Sequence, residues 1–205
     1  MNCQENIKND LLSLDVRTFY FKHIIKSHNW YFSDYLHTSD EELIDKMDLF
    51  KEIVSQNFNI SFHSVQIVGS AKMGVSLSPN KLLKPFHSAS DNEKTSDIDI
   101  AIVSEKIFNY FWDKLRRSEE KVYQKKNYTN IAKSIYRGYI NDKDLTYVKD
   151  VNEYLRQLIS PTNLKLQDEI GFVHPISYRL YRSWEDLEEY QLIGIARAKR
   201  TLEDA

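Results

Sequence analysis

The chain has 205 residues, 41% of them hydrophobic and 28% charged, a balance that supports a packed core and excludes a disordered chain. With 28 Lys and Arg against 30 Asp and Glu, the formal charge is −2, which excludes a purely electrostatic nucleic-acid binder but leaves room for a local basic groove. The lone cysteine, Cys3, excludes an internal disulfide and a cysteine-built zinc site, and the polar N-terminus with no run of spanning length sets the expectation of a reduced, cytoplasmic protein away from membranes.

The first sixty residues read as a helical segment, and residues 61–205 as a core with C-terminal helices, the two forming one compact unit. Leu14, Phe19, Phe21, Ile24, Ile25 and Trp30 fit helical spacing only loosely. Ser39 and Glu42 form a capping box. Leu43, Ile44, Met47, Phe50, Ile53, Val54 and Phe58 then recur at three- and four-residue steps, the mark of one buried helical face.

Near Phe62 the period changes. Val65, Ile67 and Val68 make a short apolar run that stops at Gly69 and predicts a strand ending in a turn. A short helix fits 71–77. Residues 78–96 hold Pro79 and Pro85 among polar residues and predict a long surface loop. Ile98, Ile100, Ala101, Ile102 and Val103 predict a second strand, and Ser104 the cap of a following helix. A further helix is expected to stop at Gly138. Asp150 is expected to cap another that Pro161 ends. Residues 172–181 read as a strand, and Ser183 with Asp186 as the cap of a final helix. The fold class is α+β: a small mixed sheet, helices on one face, and the N-terminal helical segment beside it.

Two short elements carry chemistry. Side chains two apart on a strand share a face, so Asp97 and Asp99 project together while Ile98 and Ile100 point into the core. Paired carboxylates repel unless a cation lies between them, and Mg²⁺ (or Mn²⁺) suits oxygen ligands. Upstream, Gly69 and Ser70 end one strand and open a helix. Gly69 leaves room for close approach, and backbone N–H groups with the Ser70 hydroxyl can hold phosphate oxygens. No Walker A loop occurs.

The segments QIVGSAKMGVSLSP and SDIDIAIV, within residues 64–104, resemble the polymerase β-like nucleotidyltransferase superfamily. The resemblance implies a metal-dependent transfer of an NMP from an NTP to a hydroxyl on RNA, tRNA or a partner protein. Asp97 and Asp99 would be the catalytic metal ligands, and Gly69 and Ser70 would hold the triphosphate. The small size points, by analogy, to toxin–antitoxin or phage-defence members, with a protein partner or a second copy as possible associates. Two departures stand out. The interval between Ser70 and Asp97 is long, and the third carboxylate usual in the family is missing from the 172–181 strand. Asp142, Asp144, Glu185 or Asp186 could supply it. Its absence would fit a catalytically silent module that binds a nucleotide or protein.

Other residues are weighed singly. Lys72 reads equally as a phosphate contact or an exposed helix residue. Arg179 stands out because a buried arginine needs an anion. Lys114, Arg116, Arg117, Lys121, Lys125 and Lys126, like Arg182, Arg197, Lys199 and Arg200, read first as solvated faces. Tyr178, Tyr181, Trp184 and Tyr190 read first as aromatic core. Arg17 and His23 have a spacing seen in helical ribonucleases but share a helix face poorly. His174 reads as a structural histidine.

Overall fold

A computed structural model of the chain describes residues 3–86, 95–118, 127–146 and 148–204. Four strands, β1 (Val65–Val68), β2 (Ile98–Val103), β3 (Tyr139–Asn141) and β4 (Ile176–Tyr181), form one mixed sheet in the order β1-β2-β4-β3. β1 runs antiparallel to β2, β2 parallel to β4, and β4 antiparallel to β3. β2 is central and buried on both faces. This explains why its residues 100–103 are continuously apolar rather than alternating.

Helices pack around the sheet. They are α1 (Cys3–Ser13), α2 (Val16–Tyr20), α3 (Asp40–Phe58), α4 (Ser70–Met73), α5 (Glu105–Arg117), α6 (Tyr128–Tyr136), α7 (Asp142–Leu145), α8 (Lys149–Lys165) and α9 (Trp184–Glu203). One face of the sheet carries Ile67, Ile98, Ile100, Ile102, Ile140, Tyr178 and Leu180. They meet Phe50, Ile53, Val54 and Phe58 of α3, Phe108, Phe111 and Leu115 of α5, and Leu155 of α8 in the main core. On the other face Val68, Ala101, Val103 and Tyr181 lie with Leu187 of α9. The N-terminal residues Ile7, Leu11, Phe19, Tyr20 and Ile24 join Ile195 and Ala198 of α9 in a third cluster. The two ends of the chain therefore share a core.

The caps at Ser39, Ser104 and Ser183 form, each side chain accepting an N–H from the first turn of its helix. At Ser39 only half of the box closes, because Glu42 takes the Ser39 hydroxyl at 3.0 Å. α6 ends at Tyr136, with Gly138 beyond it at φ 75°.

Three expectations are corrected. The loose period over 14–30 reflects a helix restart at Asp15, which caps α2, and five-residue π turns at Phe21–Ile25 and Tyr31–Tyr35. A π turn inserts a residue and shifts the apolar stripe. α8 starts one residue ahead of Asp150 and runs through Pro161 into a π turn, Leu166–Ile170. An interior proline costs about 3 kcal/mol. Burial of Leu155, Leu166 and Ile170 on either side of it, at roughly 2 kcal/mol each, outweighs that. The short helix expected over 71–77 is one turn, stopped at Gly74 (φ 78°) against the Trp30 ring. Of the 78–96 loop, residues 87–94 lie outside the described residues, and Pro79–Lys81 forms a short 3₁₀ turn.

Candidate functional site

Strand register assembles the site. Val68 pairs with Asp99, so Gly69 follows directly beside the Asp99 carboxylate. Gly69 has φ 68° and ψ −146°, a conformation that is essentially glycine-only. A β-carbon there would lie 2.7 Å from Asp99 Oδ2. Asp99 pairs across β4 with Ser177, whose hydroxyl donates to Asp99 Oδ1 at 2.7 Å. Arg179 pairs across β3 with Asn141, and its Nε donates to Asn141 Oδ1 at 2.9 Å. Asn141 Nδ2 in turn donates to Asp144 Oδ2 at 3.0 Å, which fixes the amide orientation. The Arg179 guanidinium lies 4.7 Å from the ring centre of Tyr190 and 5.5 Å from that of Tyr139.

Asp97 precedes β2 rather than lying in it, and its side chain is 43% exposed, 3.5 Å from Lys143 Nζ. Burial pushes the Asp99 carboxyl above its ordinary range. The charge of Asp97 adds to this, while Arg179, the Ser177 hydroxyl and Lys143 oppose it. The two acids thus sit close enough to feel each other.

Both acids line a cavity of about 770 Å³, within the range that takes small-molecule ligands. Gly69, Ser70 and Arg179 line it too. Further walls come from the 76–85 segment, with Leu77, Pro79, Lys81 and Lys84, and from α9, with Tyr190, Ile193, Gly194 and Arg197. Arg137 and Tyr136, the latter 90% exposed, stand at the mouth. Arg182 is neutralised by a two-pronged pair with Asp186, both contacts at 2.9 Å. Lys81, Lys84, Arg137, Arg179 and Arg197 line the same cavity as Asp97, Asp99 and Glu189.

Lys72 does not join them. It is only 8% exposed, and its Nζ donates to the carbonyls of Ser27 at 2.7 Å and His28 at 3.2 Å. Burial alone brings its pKa from 10.5 down to about 8. Both earlier readings of Lys72 give way to this tie between α4 and the N-terminal layer. The phosphate-cradling helix start is also reduced. α4 has a single turn, too short for a substantial dipole, and the Lys72 N–H is spent on Gly69 O at 3.2 Å.

None of the four candidate third carboxylates reaches the pair. Asp142 accepts from the Tyr178 N–H at 3.1 Å, Asp144 is held by Asn141, and Asp186 by Arg182. Glu185 is exposed in the first turn of α9. Among the described residues no three His, Cys, Asp or Glu side chains converge as a metal site. Two carboxylates facing one open cavity still match the chemistry of Mg²⁺, which takes one or two protein carboxylates and completes its shell with water and phosphate oxygens.

The remaining expectations resolve simply. Arg116 and Arg117 pair with Asp113, and Lys114 lies over Tyr110. Lys121, Lys125 and Lys126 lie outside the described residues. Lys199 ties to the carbonyls of Leu12 and Leu14, and Arg200 to that of Ala196. Tyr178 and Tyr181 are core, while Trp184 is exposed. Arg17 pairs with Glu188, and His23 separately with Asp10. Buried His174 bonds the Tyr31 hydroxyl at 2.9 Å. The sequence reading missed Asn141, Ser177 and Lys143. Ser177 had a signal, since it lies two residues before Arg179 and so shares its face. Compared with protein-family models, curated proteins and solved structures, the chain matches none.

Proposed function

We propose that the protein binds a nucleoside triphosphate with Mg²⁺ or Mn²⁺ in this cavity and transfers its nucleotidyl group to a hydroxyl acceptor. That is the activity implied by the resemblance of Gly69-Ser70 and Asp97-Ile98-Asp99 to the polymerase β-like nucleotidyltransferases. The observation that best supports it is the convergence on one cavity of two carboxylates with the mostly buried guanidinium of Arg179. Two carboxylates able to hold a cation and a guanidinium able to hold an anion thereby line one cavity.

In this reading Asp97 and Asp99 hold the metal. Arg179, oriented by Asn141, bonds the phosphates, and the Ser70 hydroxyl adds one donor. When bound, Mg²⁺ neutralises phosphate charge and activates the acceptor hydroxyl. The acceptor oxygen bonds to the α-phosphorus. The bond from that phosphorus to the β-bridging oxygen breaks, and its electron pair leaves with pyrophosphate. The hydroxyl proton passes to water at the open side of the cavity, where Asp97 meets solvent.

A second reading is a nucleotide-binding module without turnover. It is favoured by Ser177 and Arg179, which occupy the strand beside Asp99 where a third acid would stand. One experiment separates the two: α-³²P-labelled NTPs with Mg²⁺ or Mn²⁺, cellular RNA and lysate, run with wild type and with Asp97→Ala/Asp99→Ala. Label transferred only by wild type establishes the enzyme, and the labelled species names an RNA or protein acceptor. Metal-dependent binding without label supports the silent module. Absence of both binding and label overturns the nucleotide reading.

A further inference from the structure

The chain has five glycines. Gly69, Gly74, Gly138 and Gly171 all have positive φ, which accounts for them. Gly194 does not. It lies in the middle of the twenty-residue helix α9, where glycine is the poorest residue after proline. A β-carbon there would meet nothing within 4 Å among the described residues, so no neighbouring side chain requires the gap. Gly194 lines the cavity. Bare helix backbone on a cavity wall leaves room for a flat group to lie close against it.

The neighbours of Gly194 indicate which group. Tyr190 is four residues back, about 6 Å along the axis, and its ring touches Arg179 beside Asp99. Gly194 therefore lies within reach of the rest of a nucleotide whose triphosphate sits at Arg179 and the acids. The Pro79–Lys81 turn packs against α9, and Leu77 and Pro79 line the same cavity, offering an apolar cover. Gln191 lies three residues before Gly194 and so flanks it on the helix surface, whereas Glu189, five residues before, lies round the other side. Both line the cavity. A glutamine amide offers one donor and one acceptor, the complement of an adenine edge. A carboxylate in that place would instead accept from guanine.

We propose that Gly194, Gln191 and the Leu77–Pro79 segment form an adenine subsite, which makes ATP the nucleotide of this cavity. This rests on the nucleotide reading above. Titration calorimetry on the full chain with Mg²⁺ tests it, using ATP, GTP and inorganic tripolyphosphate. Wild type should bind ATP about tenfold tighter than tripolyphosphate, and tighter than GTP. Gly194→Leu should lower ATP affinity to that of tripolyphosphate and leave tripolyphosphate binding and the melting temperature undiminished. Gln191→Glu should reverse the preference for ATP over GTP. The subsite is overturned if wild type binds ATP no better than tripolyphosphate, if GTP outranks ATP, or if Gly194→Leu binds ATP as wild type does. Failure of wild type to bind either ATP or tripolyphosphate is a different result, which removes the nucleotide reading itself.

Discussion

The Asp99 carboxylate occupies the space a side chain at position 69 would need: the missing β-carbon would stand 2.7 Å from Asp99 Oδ2. Gly69→Ala must therefore strain its own backbone at φ 68° and displace the carboxylate. We expect a stability loss of about 2 kcal/mol and weaker metal-dependent nucleotide binding. Removing the displaced group should recover part of the loss. In an Asp99→Ala background the cost of Gly69→Ala should fall by about 1 kcal/mol. Strict additivity in denaturant melts would show that the backbone angle, and not the carboxylate, makes glycine necessary.

Ser177 occupies the place on β4 nearest to Asp99, with a hydroxyl that donates to it at 2.7 Å. Ser177→Asp replaces that donor with a like charge beside a carboxyl already raised by burial. In EDTA the variant should be less stable than wild type by roughly 1–4 kcal/mol, the repulsion of two nearby charges in a partly wet site. Mg²⁺ should restore it, giving the variant a larger metal-induced rise in melting temperature than wild type. An equal rise in both proteins would mean that the Asp97–Asp99 pair does not hold the cation.

Arg179 owes its orientation to Asn141, which accepts from Nε while donating to Asp144. Asn141→Leu keeps the approximate volume and removes the acceptor. A hydrogen bond to a charged group is worth about 2 kcal/mol, so tripolyphosphate affinity should fall by up to about thirtyfold. Arg179→Lys should lose at least as much, because an ammonium lacks the guanidinium's fork. Unchanged affinity in Asn141→Leu would show that the two tyrosine rings suffice to hold the guanidinium.

What the sequence displayed follows from the range of the forces involved. The acids, Gly69 and the three serine caps are local patterns of spacing and backbone chemistry, and all were legible. The mixed sheet was legible in the short apolar runs of β1 and β2 and in the alternation of β4. β3 is three residues long and carries Tyr139 and Asn141 at its ends, too short to show a period, so the partner of Arg179 stayed hidden. Pro161 misled because helix interruption is a local rule, while the burial of Leu155, Leu166 and Ile170 that overrides it is tertiary. Lys72 misled for the same reason. Its partners are carbonyls more than forty residues away in sequence, at the far end of a π turn that no spacing announces.

Lys72 also gives the protein a distinctive pH dependence. Its ammonium is buried against two carbonyls and, among the described residues, has no carboxylate within salt-bridge distance. Desolvation brings its pKa from 10.5 to about 8, so the folded state disfavours the charged form. The penalty is complete below about pH 8, where Lys72 is protonated in both folded and unfolded chains. It is relieved as pH rises from about 8 to 10.5, because the folded chain releases its proton first. The full change is worth roughly 3 kcal/mol at most. Lys72→Met removes the titration and leaves the two carbonyls without this donor at every pH. Relative to that variant, wild type should therefore gain up to about 3 kcal/mol between pH 7 and pH 10.5 in urea melts. The other titrating groups are common to both proteins and cancel in the difference. A gap that stays constant over that interval would mean that Lys72 keeps its ordinary pKa, with water reaching its ammonium beside the carbonyls of Ser27 and His28.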